Sequence, residues 1–271
     1  MASRADKTIW FPFSQHKNIP EKSITTIDSA YNDSFQTFNS IQAGKSSSLL
    51  NSSFDGSASW WTQGLGHGNP TLSLAAAYAA GRYGHVILAS TIHQPAISLA
   101  ENIISKLGNP RVNRVFYSDN GSTGIEVAIK MALKSACDRY GWDVSDKDIG
   151  VIGLKRSYHG DTIGSMDCTE PSVYNKKITW YKDRGYWFEY PNVVLKNGVW
   201  KVVVPESLQN ELGASAAFSS LDEIYDIENR DGSHYKRYIK EKITDLINQG
   251  HKFGAVIFEP VLLGAGGMLA V

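Results

Sequence analysis

A long amphipathic helix, predicted around residues 125–136, constrains the fold of this chain more than any other feature. Its apolar residues recur at i, i+3, i+4, i+7, i+8 and i+11, which places them on one face of the helix. They are Ile125, Ala128, Ile129, Ala132, Leu133 and Ala136. A β-rich run at residues 112–118 precedes the helix, with a polar turn at residues 119–122 between them. The sequence therefore predicts a strand, a turn and a helix in succession, which is the unit of an α/β fold.

The rest of the chain extends this pattern. Two further β-rich runs favour strands, and three more segments favour helices. The strands are at residues 149–154 and 255–258, and the helices are at residues 71–83, 95–107 and 220–247, the last rich in charged side chains. Residues 1–53 are predicted as short strands and turns that end in a loop at residues 46–53, and Asn197-Gly198 predicts a hairpin turn. Strands separated by helices indicate a largely parallel sheet.

Composition narrows the class of partner. The chain has 271 residues, 42% of them hydrophobic, which is enough to bury a core, and its 27 basic residues balance 27 acidic ones. A chain without net charge has no overall field to hold it on nucleic acid or an anionic membrane, so a small molecule is the expected partner. No apolar run reaches the ~18 residues of a spanning helix. Two cysteines, Cys137 and Cys168, without a CxxC pair, indicate neither a disulfide framework nor a zinc site.

The turn at residues 119–124 has the residue types of an anion site. At the start of a helix the free backbone amides and the positive end of the helix dipole face the same way. Gly121 permits close approach of a ligand, and Ser122 and Thr123 add hydroxyl donors. The alternative is a plain helix cap by Asn120 or Ser122. The turn taken alone favours the cap about two to one over a phosphate site.

A second polar turn follows the strand predicted at residues 149–154. It contains Tyr158, His159, Gly160 and Asp161. Ligands of open α/β sheets collect at the carboxyl ends of the strands, so this turn and the one at residue 121 are expected to face one crevice. The aromatic ring is suited to stacking on a flat cofactor, with His159 or Asp161 orienting it. The alternative for a single loop histidine is a structural role.

Two other features have less specific patterns. The pair Trp60-Trp61 follows the small residues 56–59, a combination that suits the wall of an apolar pocket and equally suits core packing. Glu259 follows the strand predicted at residues 255–258 and precedes a glycine-rich stretch, so its carboxylate is a candidate to orient a site residue. The sequence contains none of the GxxxxGK[ST], GxGxxG, GxSxG or HExxH motifs, which disfavours several common classes of enzyme.

Six stretches, taken in order along almost the whole chain, resemble the class III, fold-type I aminotransferases, which depend on pyridoxal phosphate. Among these they are most similar to the diaminopelargonate aminotransferases of biotin synthesis. The stretches are residues 10–16, 55–61, 66–70, 119–133, 158–164 and 258–268. An insertion at about residues 170–250 resembles that of the plant and fungal members, in which a dethiobiotin synthetase domain is fused upstream.

The resemblance implies a fold and a division of the chain. The expected fold is the pyridoxal-phosphate transferase fold type I, an α/β fold with a mostly parallel central sheet flanked by helices. Residues 1–56 are expected to be the N-terminal segment of a small domain. Residues 57–271 are expected to form part of the large cofactor-binding domain. Expected partners are a second copy of the chain, as a homodimer, and the fused synthetase domain.

The resemblance also implies roles for site residues. Gly121 and Ser122 match the positions that hold the cofactor's phosphate, Tyr158 matches the aromatic residue that stacks on its ring, and Glu259 matches a carboxylate near it. For the substrate, Trp60 and Tyr158 match residues of the pocket. Phe13 stands where bacterial relatives have a tyrosine, so it supplies apolar wall without a hydrogen bond.

The expected reaction is transfer of an amino group from S-adenosylmethionine to 8-amino-7-oxononanoate. The resemblance places the family's Schiff-base lysine, its cofactor-binding aspartate and its carboxylate-binding arginines beyond Val271, so no catalytic residue is assigned here and the 271 residues alone are expected to be inactive. Similarity to the plant and fungal form implies a mitochondrial location, and otherwise a cytoplasmic one. Two alternatives remain open: an aminotransferase acting on ornithine, acetylornithine or 4-aminobutyrate, and a degenerate, non-catalytic partner of a complete subunit.

Overall fold

The computed structural model describes residues 1–12, 14–38, 48–145 and 148–271. These residues form two compact units, Met1–Arg114 and Val115–Val271. The division into domains expected at residue 56 stays a prediction, as do the expected limits of the insertion. Phe13 lies outside the described residues.

The first unit contains a small antiparallel sheet and three helices. The helices are α1 (Ala2–Thr8), α2 (Pro70–Tyr83) and α3 (Gln94–Leu107), and the strands are β1 (Thr26–Tyr31), β2 (Ser34–Phe38) and β3 (Leu50–Phe54), in the order β1-β2-β3. Short 3-10 turns occur at His16–Asn18 and Glu21–Ser23. Asn69 caps α2 by accepting hydrogen bonds from the amides of Thr71 and Leu72.

Sequence patterns predicted α2 and α3 almost to the residue but were less successful before them. The polar α1 was missed because it has no apolar stripe, and its cap makes no side-chain hydrogen bond. The loop prediction for residues 46–53 is wrong at residues 50–53, which pair with β2. Residues 46 and 47 lie outside the described part of the chain.

The second unit contains a parallel and an antiparallel sheet. Its helices are α4 (Gly121–Tyr140), α5 (Ile163–Met166), α6 (Gln209–Leu212), α7 (Leu221–Ile224) and α8 (Ser233–Asn248), with a 3-10 turn at Glu206–Leu208. Its strands are β4 (Ile149–Leu154), β5 (Gly185–Phe188), β6 (Asn192–Lys196), β7 (Val199–Val203), β8 (Ala216–Phe218), β9 (Lys252–Val256), β10 (Leu262–Leu263) and β11 (Met268–Ala270). The strand orders are β5-β4-β9 in the parallel sheet and β10-β11-β6-β7-β8 in the antiparallel one.

The parallel sheet and α4 form the part of the fold that positions the site. Strand β4 lies between two parallel neighbours and is largely buried. Helix α4 packs closely on β9, since a Cβ atom on Gly254 would lie 2.7 Å from Leu133 and 3.3 Å from the Cβ atom of Ala136. The predicted apolar stripe of α4 is therefore mostly correct, but Ala128 is exposed.

Three sequence predictions for residues 112–271 need correction. Residues 112–118 do not form a strand: the described chain offers them no ladder partner, and Phe116 is 63% exposed, so β-propensity alone does not make a strand there. The strand predicted at residues 255–258 is β9, which begins at Lys252 and ends at Val256. The single helix predicted at residues 220–247 is two helices, α7 and α8, and the amide of Ser233, the first residue of α8, donates to the side chain of Asp231.

The predicted hairpin at Asn197-Gly198 is confirmed. It joins β6 to β7, and both turn residues have positive φ, 54° and 75°, as tight hairpin turns require. None of the helices in the described ranges has the length and apolarity needed to cross a bilayer.

Candidate cofactor site

The N-terminus of α4 presents two backbone amides. Asn120 caps the helix: its side chain accepts from the amide of Thr123 at 2.9 Å and its carbonyl accepts from the amide of Gly124 at 3.0 Å. The amides of Gly121 and Ser122 have no acceptor among the residues that the structure describes. The helix cap, which the sequence analysis gave as the alternative to an anion site, is thus present. It leaves two amide donors for an anion at the positive end of a 20-residue helix.

The turn after β4 contacts this helix terminus directly. The amide of Asp161 donates to Ser122 Oγ at 3.0 Å. Gly160 has φ 131°, and a Cβ atom there would lie against Ser122 Oγ, 2.7 Å from Ser165 Oγ and 2.8 Å from Ser122 Cα. Because Ser122 Oγ accepts one hydrogen bond from the protein, its own proton remains available to a ligand. The two turns that the sequence predicted to face one crevice are adjacent.

Tyr158 is held at both ends. Its amide donates to Glu259 Oε1 at 2.8 Å, and its hydroxyl donates to Asp161 Oδ2 at 2.6 Å. Burial, followed by the hydrogen bond to Asp161 and the charge of that carboxylate, raises the pKa of Tyr158 to about 12. The phenol therefore stays protonated at neutral pH and keeps donating. The residue is 46% exposed, so its ring is fixed in direction and still accessible.

Glu259 joins three segments. Its carboxylate accepts from the amide of Tyr158 and, at 2.7 Å, from the amide of Gly264. Glu259 therefore links the end of β9 both to the turn at residues 158–161 and to the glycine-rich loop at residues 264–267. The sequence indicated a carboxylate that orients a site residue. The contacts show which residue it orients and that both of its oxygens bind backbone amides.

His159 has an unsatisfied buried nitrogen. The residue is 8% exposed, and its Nε2 has no hydrogen-bond partner among the described residues. Burial lowers the pKa of His159, and the charge of Glu259 opposes that effect only in part. A buried polar atom without a partner costs free energy, so this nitrogen is suited to a group that the described chain does not supply.

Glu126 is a site residue that sequence analysis missed. It lies on α4 and accepts a hydrogen bond from the amide of Gly164, on α5, at 2.7 Å. Burial acts to raise the pKa of Glu126, but the hydroxyl of Thr162, the amides of Gly164 and Ser165 and the charge of Lys130 outweigh it and hold the pKa below its usual 4.5. Since α4 and the turn after β4 are tied here as well as at Ser122, the position of the site depends on this carboxylate.

The lowered pKa predicts a pH-dependent contribution to stability. A carboxyl group whose folded pKa is depressed stabilises the fold above its unfolded pKa, and this contribution is lost as pH falls through the folded pKa. We expect Glu126→Gln to lower the free energy of unfolding by about 1–3 kcal/mol at pH 7. As pH falls below about 4.5, we expect the difference in this free energy between the variant and the parent to become smaller. Urea unfolding from pH 7 to pH 3 measures both, with Glu228→Gln, an exposed carboxylate, as the control. A difference that does not change with pH would contradict the assignment.

The tryptophan pair lies in the first unit, and its rings are not in a core. Trp60 is 69% exposed and Trp61 is 61% exposed, so the described residues do not form a core around them. Residues 58–61 all have positive φ, from 46° to 73°, which is a left-handed turn without glycine. Such a conformation costs roughly 1–2 kcal/mol per residue and is a feature of functional sites.

The structure therefore brings Gly121, Ser122, Tyr158 and Glu259 together in one unit, with Trp60 in the other. A parallel sheet whose strand-end turns meet a free helix N-terminus defines an α/β protein that is suited to a phosphorylated ligand. The particular family follows from comparison with known proteins: the family model "Aminotransferase class-III" matches residues 51–271. The chain belongs to the class III aminotransferase family, a family of pyridoxal-phosphate enzymes, which confirms the resemblance seen in the sequence.

Individual relatives refine this assignment. The chain is 58% identical, over 99% of its length and 35% of the relative's, to the bifunctional dethiobiotin synthetase/adenosylmethionine-8-amino-7-oxononanoate aminotransferase of Emericella nidulans. It is 38% identical, over 99% of its length and 33% of the relative's, to the Arabidopsis thaliana bifunctional dethiobiotin synthetase/7,8-diamino-pelargonic acid aminotransferase, which is named as mitochondrial. The chain thus spans about a third of the length of these curated relatives.

Solved structures confirm the predicted fold. The omega transaminase of Pseudomonas jessenii in complex with PMP matches 100% of this chain and 50% of its own with a TM-score of 0.69 at 18% identity. An adenosylmethionine-8-amino-7-oxononanoate aminotransferase from Methanocaldococcus jannaschii matches 69% of this chain and 40% of its own with a TM-score of 0.51 at 22% identity. The fold is therefore the expected fold type I, of which this chain contains a part.

Proposed function

We propose that this chain is the cofactor-binding part of an aminotransferase that aminates 8-amino-7-oxononanoate to 7,8-diaminononanoate in biotin synthesis, with S-adenosylmethionine as the donor. The observation that carries the proposal is the hydrogen bond from the amide of Asp161 to Ser122 Oγ, because it places the anion-accepting helix terminus beside the turn of Tyr158. The name of the Emericella nidulans relative supports the choice of reaction.

Each residue of the site has a part in this proposal. The amides of Gly121 and Ser122 and the hydroxyl of Ser122 would hold the phosphate of pyridoxal phosphate. Tyr158 would lie against its ring, and Glu259 would keep Tyr158 in place through the backbone. When bound, the cofactor supplies the electron sink that amino-group transfer requires. The donor set fits a phosphorylated aromatic group, since it combines two amides that have no acceptor among the described residues, a hydroxyl and an accessible ring.

The contacts to the substrate are also a proposal. We propose that Trp60, Phe13 and Tyr158 contact the aliphatic part of the keto acid, which is long and has few polar groups. The exposure of Trp60 supports this role, since its ring is available to a ligand. Polar substrates such as ornithine, acetylornithine and 4-aminobutyrate offer less apolar surface to these side chains.

A steady-state assay tests the reaction. With the protein expressed at the full length of its reading frame, we expect amino transfer from S-adenosylmethionine to 8-amino-7-oxononanoate with a kcat/KM at least about 100-fold above that for ornithine, acetylornithine or 4-aminobutyrate paired with 2-oxoglutarate. A preference for one of those donors would replace the proposal with the alternative class III activity. Absence of transfer from every donor by a folded, pyridoxal-phosphate-loaded protein would favour the degenerate partner.

The remaining features of the whole protein are also proposals. We infer a homodimer, a dethiobiotin synthetase domain fused upstream and a mitochondrial location. The names of both the fungal and the plant relative support the fused domain, and the name of the plant relative supports the location. We also infer that the lysine that binds the cofactor lies outside residues 1–271. Light scattering on the full-length protein tests the dimer, and borohydride trapping of the cofactor followed by peptide mass spectrometry identifies the lysine.

A further inference from the structure

Asp55 is a hydrogen-bond acceptor at the base of the left-handed turn of residues 58–61, called the tryptophan turn below. Its side chain is 6% exposed. Oδ1 accepts from the amide and hydroxyl of Ser57 at 3.3 and 2.9 Å, and Oδ2 accepts from the amide and hydroxyl of Ser59 at 2.8 and 2.9 Å. His67 Nε2 lies 2.8 Å from Oδ2. The hydrogen bond to His67, with those to the two serines, holds the pKa of Asp55 well below its usual range, so it is ionised at neutral pH.

The turn that Asp55 binds needs an external restraint. Residues 58–61 are left-handed, and the amide of Trp61 donates to the carbonyl of Ser57 at 3.0 Å. L-residues other than glycine disfavour this conformation, so a single left-handed turn persists only when its surroundings hold it. The bonds to Ser57 and Ser59 fix the beginning and the middle of the turn from which Trp60 projects.

Asp55 and His67 are themselves fixed to the hairpin of β1 and β2. The backbone of His67 exchanges two hydrogen bonds with Asn32, of 2.7 and 2.8 Å, and its ring lies 4.8 Å from that of Phe35. The amide of Asp55 donates to the carbonyl of Asp33 at 2.9 Å. The carboxylate therefore connects a rigid hairpin to the strained turn.

We propose that Asp55 is a positioning residue for substrate recognition: held by His67 and the β1–β2 hairpin, its carboxylate fixes the left-handed turn and thereby the direction in which Trp60 meets the aliphatic keto acid. The inference rests on the proposed role of Trp60 and goes beyond it by assigning specificity to a residue that does not touch the substrate. Asparagine at this position presents one amide group to a cluster of donors, so it does not replace the carboxylate.

The test is a double-mutant cycle in the full-length protein. Asp55→Asn is expected to raise KM for 8-amino-7-oxononanoate about tenfold, to change kcat less than about threefold and to leave the affinity for pyridoxal phosphate unchanged. Trp60→Ala is expected to raise the same KM. In the Trp60→Ala background, Asp55→Asn is expected to have no further effect, because its effect passes through the ring. Asp28→Asn, an exposed aspartate of β1, is the control.

Different failures of this experiment have different meanings. Additive effects of Asp55→Asn and Trp60→Ala on KM would overturn the positioning role while leaving the proposed pocket intact. An unchanged KM in Trp60→Ala itself would overturn both. If Asp55→Asn does not fold, two variants of His67 supply the second test. His67→Gln keeps a donor near the Nε2 position, so its KM is expected to stay within about twofold of the parent value. His67→Leu has no donor there, so its KM is expected to rise as it would in Asp55→Asn. Equal KM values for these two variants would also overturn the inference.

Discussion

Gly160→Ala is expected to weaken binding of pyridoxal phosphate by on the order of tenfold to a hundredfold, because an added Cβ atom forces the two turns of the site apart. That atom would meet Ser122 Oγ, and it would lie 2.8 Å from Ser122 Cα, which is backbone of the helix terminus and has no rotamer by which to move away. Relief of the contact requires the amides of Gly121 and Ser122 to move relative to Tyr158. Titration of the full-length apoprotein with the cofactor, followed by absorbance, measures the affinity.

Gly198→Ala is the matched control for this variant. Gly198 also has positive φ, 75°, but a Cβ atom there meets nothing within 4 Å. Both substitutions place alanine at a positive φ that L-residues disfavour, whereas only Gly160→Ala adds the collision. We therefore expect both variants to melt at lower temperature and only Gly160→Ala to lose cofactor affinity. Parent-like affinity in Gly160→Ala would show that the contact between the turns is not needed for binding.

The parts of the site that could be predicted from the sequence are those defined by local residue types. The turn at Gly121 and Ser122 was recognisable because it starts a helix with a clear apolar period. Tyr158 was recognisable because it follows a strand. Their adjacency followed from the rule that strand ends of a parallel sheet share an edge, although the strand predicted at residues 112–118 does not form.

The parts that could not be predicted depend on tertiary partners. Glu126 and Asp55 are ordinary acidic residues in the sequence, and folding brings a distant partner to each, the amide of Gly164 to Glu126 and the ring of His67 to Asp55. The amide that Glu126 binds is 38 residues away, and the amide of Tyr158 that Glu259 binds is 101 residues away. Residue type and periodicity contain no information about such pairings, so a carboxylate that binds amides looks the same as one on a solvated surface.

The backbone conformation of the tryptophan turn could not be predicted from its residue types either. Small residues before Trp60 indicated a pocket wall or a core contact, and neither alternative included a left-handed backbone. Positive φ is expected at glycine, asparagine and aspartate, and residues 58–61 contain none of these. We attribute the conformation to the bonds of Asp55 to the two serines, so it depends on the anchored carboxylate and on Ser59, which lies within the turn and donates to it.

Glu259→Gln is expected to lower the free energy of unfolding of the second unit by about 1.5–3 kcal/mol and to weaken cofactor binding as well. Both carboxylate oxygens accept from amides, those of Tyr158 and Gly264, at 2.8 and 2.7 Å. The glutamine side chain has one carbonyl oxygen and one amide NH2 group, so one of those backbone amides then faces a donor and loses its partner. Where the amide of Tyr158 is the one that loses its partner, the tyrosine is no longer fixed from its backbone side, and where it is the amide of Gly264, the glycine-rich loop is released.

The experiment for Glu259 also measures the pKa of His159, which a general loss of stability does not change. The charge of Glu259 acts to raise the pKa of His159, whose burial lowers it, so removal of that charge is expected to shift the pKa of His159 further down in an NMR titration. Urea unfolding and cofactor titration measure the other two effects, with Glu241→Gln, an exposed carboxylate of α8, as the control. Unchanged unfolding and an unchanged pKa of His159 in Glu259→Gln would mean that this carboxylate neither joins the three segments nor acts on the histidine beside them.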